Sequence, residues 1–167
     1  MKKQYLLNEI WGLTIGGAFQ RANVYRGTQS EQMKNDFKRE LKALIDGIAQ
    51  HYKLKVSEKS HLKNIEKITE FKHECLALHQ LNFGISQKVL NLYLKYLWCM
   101  DEIETPPHFP VDRIIQQELG IKKIQPWTQM KTEEDYLQVI QKAREKAKEI
   151  DCSLAELELM LYKRRSS

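Results

Sequence analysis

A chain of 167 residues is the usual size of one domain and can bury a continuous core without disulfide or metal staples. With 42% hydrophobic and 29% charged residues, it has the balance of a well-solvated globule, which excludes a disordered chain. The net charge of +5 is uneven: residues 1–100 hold 16 Lys and Arg against 9 Asp and Glu, residues 101–167 hold 11 against 13, and any attraction for nucleic acid is expected from the first part.

On composition alone, a solvated lysine face accounts for the same excess. Lys2 and Lys3 are followed by no long apolar run, and Gly12, Gly16 and Gly17 interrupt the mildly apolar residues 11–19. Neither a signal peptide nor a membrane span is expected there, and no other stretch is long enough to cross a bilayer. Cys75, Cys99 and Cys152 form no CxxC pair. They read as reduced, mostly buried thiols of a cytoplasmic protein, with no zinc or iron–sulfur site.

In chain order, residues 2–10 suit a short helix, which the glycine-containing stretch to Gly27 is expected to end. The small residues of Thr14-Ile15-Gly16-Gly17-Ala18-Phe19 suggest a close backbone approach to something else. Ser30 is placed to cap a helix reaching about residue 50, with Phe37, Leu41, Leu44, Ile45 and Ile48 on one face. Residues 52–56 read as a connector. A helix from Ser57 carries a stripe of Leu62, Ile65, Ile68, Phe71, Cys75 and Leu76.

Residues 82–86 read as a turn centred on Gly84. Ser86 then caps the most apolar helix, residues 87–99, which is expected to be central and buried. Three prolines among residues 105–110 exclude helix and stiffen that loop. Asp112 caps a short helix that Gly120 ends. Thr132 with Asp135, and Ser153 with Glu156, mark the starts of two last helices. The polar tail 163–167 is expected to fray. The expected fold is all-α: one compact multi-helix domain, 1–167, with a helix-hairpin-helix element.

The chemistry centres on Leu81 to Asn91, LNFGISQKVLN. Read as a hairpin, it offers the free amides of a new helix to a phosphate, through Gly84, Ile85, Ser86 and Gln87. Lys88 falls in the first turn of that helix, where the dipole disfavours a cation. Asp112 follows the rigid proline loop.

This segment resembles the hairpin of the helix-hairpin-helix DNA glycosylases, the endonuclease III-like enzymes among them. Gly84, Ile85, Ser86, Gln87, Lys88 and Asn91 fall on the family's hairpin positions, and Val111-Asp112-Arg113-Ile114-Ile115 stands where the family has Val-Asp at a helix start. The resemblance covers about a fifth of the chain. Ser86 replaces a second glycine, Leu90 replaces a small residue, an acidic proline-rich insertion lengthens the Lys-to-Asp separation, and no cluster-binding cysteines follow.

The resemblance implies a base-excision DNA glycosylase/lyase. A base would be flipped into a pocket, Lys88 would attack the sugar as the nucleophile, and Asp112 would assist. His108 in the proline loop and Trp127 in Gln125-Pro126-Trp127-Thr128 are candidates for lining that pocket. Trp98 lies in the most apolar helix and reads as core.

His73 and Glu74 make no HExxH motif, because Ala77 occupies the second His position. No P-loop, dinucleotide loop or nucleophile elbow is present, so neither metal nor cofactor is expected. The partner expected is nucleic acid, which the resemblance implies is DNA and which the residues alone leave open between DNA and RNA, with no membrane. The alternative is a non-catalytic helical module for nucleic-acid binding or protein interaction, in which Asp112 is an ordinary cap. The oligomeric state is not indicated.

Overall fold

The computed structural model describes residues 1–162; the polar tail 163–167 lies outside the described residues. Among these, the regular structure is helical: α1 (Lys2–Phe19), α2 (Glu31–Ala49), α3 (Glu58–Glu70), α4 (Phe83–Cys99), α5 (Arg113–Glu118), α6 (Glu133–Glu149) and α7 (Leu154–Leu161). Single 3-10 turns follow α2 at Gln50–Lys53 and precede α6 at Trp127–Gln129. Among the described residues, no helix is long and apolar enough to cross a membrane.

α4 is the axis of the molecule. Twelve of its seventeen residues are buried, so it is covered nearly all round. α1 packs along it as its most extensive neighbour, with α3 beside it. One apolar cluster runs continuously from Ile10 to Leu157, drawing on every helix.

The caps expected from sequence form. Ser30 accepts from Met33 N, Ser57 from Ser60 N and Asp112 from Ile115 N. Thr132/Asp135 and Ser153/Glu156 both close as capping boxes. Gly120, at φ 71°, ends α5 in the left-handed conformation.

Two elements depart from expectation. α1 does not stop at residue 10 but continues through the glycines to Phe19. A Cβ on Gly17 would lie 2.8 Å from Leu92 Cδ2, so Gly17 lets α1 sit close to the Leu92 side chain of α4. That contact is the close approach the sequence implied.

The second departure is at α3, which ends at Glu70, so Phe71, Cys75 and Leu76 leave the helical stripe. They are buried or half-buried all the same, because residues 72–80 fold back on the loop before α2. Arg26 N donates to Cys75 O (2.7 Å) and Ala77 N to Val24 O (2.8 Å). Phe71 and His73 stack around Phe37. Of the cysteines, Cys75 is buried and Cys152 half-buried, but Cys99 is exposed at the end of α4.

Candidate functional site

The hairpin reading does not match the local structure. α4 begins at Phe83, four residues earlier than expected, because Asn82 outcompetes Ser86 as the cap. Its Oδ1 accepts from Ile85 N at 2.8 Å, while its Nδ2 donates to Thr128 O at 2.7 Å. Twelve residues separate α3 from α4, so the two helices are not joined by a tight turn.

The amides expected to hold a phosphate are spent. Gly84 N donates to Met130 O (3.0 Å), Ile85 N to Asn82, and Ser86 N to Asn82 O (3.0 Å). Gly84, Ile85, Ser86 and Gln87 are all buried. Gly84 is required for a different reason from phosphate contact. A Cβ there would run into the carbonyl of Trp127 and lie 2.7 Å from Met130 Cβ. The 127–130 turn is seated directly on the first turn of α4.

Lys88 and Asp112, in contrast, meet. Lys88 Nζ lies 2.6 Å from Asp112 Oδ2, across 24 residues of chain. The Lys88 side chain is 7% exposed and that of Asp112 21%, so the carboxylate is the solvent-facing half of the pair. Asp112 uses its other oxygen, Oδ1, to cap α5 through Ile115 N at 3.0 Å. The ring of Trp127 completes the surroundings, with Nζ 5.4 Å from its centroid. Trp127 is itself buried and donates its indole N–H to Ala18 O.

Gln87 sets this meeting. Its side chain donates to Val111 O at 2.8 Å and accepts from Val111 N at 3.1 Å, fixing the backbone just before Asp112. A residue expected to touch DNA is instead a clamp inside the protein. Gln116 ties the far side, bridging Asp112 O and the backbone of Gln125.

A second pair stands two turns along the same face of α4. Lys95 Nζ lies 2.8 Å from Glu158 Oε2 of α7, and the Glu158 side chain is 5% exposed. Burial pushes the Glu158 carboxyl up against the pull of Lys95. It also feels the opposing charges of Asp112 and Lys88, so the two pairs share one electrostatic neighbourhood. Trp98 is half-buried rather than wholly core, and it lines a small, partly open cavity of about 10 Å3 with Lys95, His108 and Glu158. That volume takes roughly one water and no base.

His108 is held away from Lys88, in a buried polar chain. Nδ1 lies 2.8 Å from Tyr136 Oη and Nε2 2.7 Å from Glu58 Oε1, which also meets Arg144. Tyr136 Oη accepts from Asn91 Nδ2 at 3.0 Å, and Asn91 Nδ2 reaches Gln87 Oε1 at 3.1 Å. His61 stacks edge-on to His108 and bonds Tyr52 Oη at 2.7 Å. Burial holds both imidazoles below the ordinary histidine range; for His61 the charge of His108 adds to this, and for His108 Glu58 opposes it. Burial raises Tyr136 and pushes Tyr52 up to about 12. Partial burial would raise Glu58, but His108 and Arg144 together hold it below the usual range.

Sequence reasoning missed Lys95, Glu158, His61 and Tyr136. The only local signal was the seven-residue spacing of Lys88 and Lys95, which places them on one face of α4. Comparisons with family models, curated proteins and solved structures gave no match for this chain.

Proposed function

We propose that the protein binds DNA and acts in base excision as a glycosylase/lyase, with Lys88 as nucleophile and Asp112 as its partner. The observation that carries this reading is the 2.6 Å contact between Lys88 Nζ and Asp112 Oδ2 beside the Trp127 ring. A nucleophile with a proton acceptor in hydrogen-bond reach, itself oriented by a third group, is the arrangement covalent catalysis needs. Here the orienting groups are Gln87 through Val111, and the α5 cap through Ile115 N.

The chemistry would run as follows at an abasic sugar. Lys88 gives its proton to solvent, and the free amine, positioned by Asp112 Oδ2, adds to the C1′ aldehyde. The carbinolamine loses water to give an iminium. Loss of a C2′ proton then expels the 3′ phosphate and nicks the strand. With an intact nucleotide, the amine displaces the base at C1′, and the base leaves with a proton. Either course requires Lys88, 6% exposed overall, to become accessible from between Asp112 and the Trp127 ring.

The test is strand nicking of a duplex carrying one abasic site. Wild type is expected to nick; Asp112→Asn, which keeps a capping oxygen but loses the charge, is expected to slow nicking at least tenfold. No nicking by wild type would remove the lyase reading.

A second reading is a non-catalytic helical module for nucleic-acid binding or protein interaction. It is favoured by the spent amides of α4 and the covered Lys88, which suit a structural ion pair.

A further inference from the structure

On the opposite flank of α3 from Glu58 and His108 lies an open groove of about 480 Å3. It is lined by His51, Lys55, Ser57, Ser60, Lys63 and Lys67, with buried Asn64 behind them. No carboxylate lines it. Lys55, Lys63 and Lys67 are exposed and make no ion pair or hydrogen bond among the described residues. Lys34, Lys42 and Lys142 are paired with acids on their own helices, whereas, among the described residues, other exposed lysines such as Lys122 and Lys123 are not; what sets Lys55, Lys63 and Lys67 apart is that they line one groove. The first-turn acid of α3, Glu58, does not offset the groove, because Arg144 and His108 engage its carboxylate.

Unpaired lysines converging on a concave surface raise the local potential instead of cancelling it. The Ser60 hydroxyl, which accepts from Ser57 Oγ, keeps its own O–H as a donor for a non-bridging phosphate oxygen. The groove lies in the part of the chain that holds the basic excess.

We propose that this groove binds the phosphodiester backbone of nucleic acid, without reading sequence, at a surface separate from Lys88 and Asp112. The inference shares the nucleic-acid partner of the functional reading but does not depend on its chemistry. Lys55, Lys63 and Lys67 contact successive phosphates, and binding is therefore strongly salt-dependent.

The test is fluorescence anisotropy of the full chain with labelled 20-mer single-stranded and duplex DNA, across a salt series. A Lys55→Glu/Lys63→Glu/Lys67→Glu variant is compared with Lys122→Glu/Lys123→Glu/Lys148→Glu, which makes the same charge change at exposed positions outside the groove. Circular dichroism checks that both fold. The groove variant is expected to bind at least tenfold more weakly, with the log–log salt slope reduced by about two to three. The control is expected to lose less than threefold. Equal losses in the two variants, or no binding by wild type, would overturn the proposal. Groove-dependent binding by a wild type that nicks no abasic strand would uphold it while removing the lyase reading.

Discussion

Gln87 grips Val111 by both backbone groups, at 2.8 Å through Nε2 and 3.1 Å through Oε1, and Lys88 and Asp112 are the next residues on each side. A single amide thereby brings two chain segments into the register in which the ammonium and carboxylate touch. Gln87→Ala would leave Val111 N and O without their buried partners. A loss of about 1–3 kcal/mol is expected in urea unfolding. An unchanged midpoint would mean that the proline loop is held by its packing alone.

Gly84 is expected to tolerate no side chain. Gly84→Ala drives a methyl group into the Trp127 carbonyl, a backbone atom that cannot rotate away. The variant should lose about 1–3 kcal/mol or more of stability. Thermal unfolding checks this, with Gly12→Ala as comparison, because a Cβ at Gly12 meets nothing within 4 Å.

The buried histidines predict a stability that falls on acidification. Burial lowers the folded-state pKa of His61 and His108 below the unfolded value near 6.5. Between the two values the unfolded chain binds more protons, so stability is fully present above about pH 6.5 and is lost as pH falls through the folded values. The slope approaches about 1.4 kcal/mol per pH unit for each imidazole. Urea unfolding at pH 7.5, 6.5 and 5.5 should show the decline, and His61→Asn should make it shallower. A flat profile across that range would contradict the assignment.

Lys95 and Glu158 form a pair that neither partner survives alone. Lys95→Ala leaves the Glu158 carboxyl buried without its cation, and a loss of about 3–5 kcal/mol is expected. Lys95→Met with Glu158→Leu should recover most of it, because the apolar pair carries no desolvation cost. A double variant no more stable than Lys95→Ala would show that α7 needs the charges themselves.

Helix class and most capping sites were readable because they depend on neighbours in sequence: Ser30, Asp112, Thr132 and Ser153 each act within three residues. The Lys88–Asp112 pair was approached through resemblance, since no periodicity links residues 24 apart. What failed was decided by distant partners. The glycines of α1 looked like helix breakers, but the helix runs through them, and one of them, Gly17, sits where α1 meets Leu92 of α4. Phe71, Cys75 and Leu76 kept helical spacing while their burial comes from Val24 and Phe37. At Gly84 the same residue type fits a phosphate turn or a seat for another backbone, and only Trp127 and Met130 decide between them. Glu158 was hidden for the same reason, lying 63 residues beyond Lys95.

The central claim is that Lys88 attacks a sugar carbon, and borohydride trapping tests it most directly. Wild-type protein is mixed with a labelled duplex carrying an abasic site and reduced, beside Lys88→Ala. The account predicts a covalent protein–DNA adduct that is absent from the variant. No adduct with wild type, or an adduct equally strong with Lys88→Ala, would contradict it.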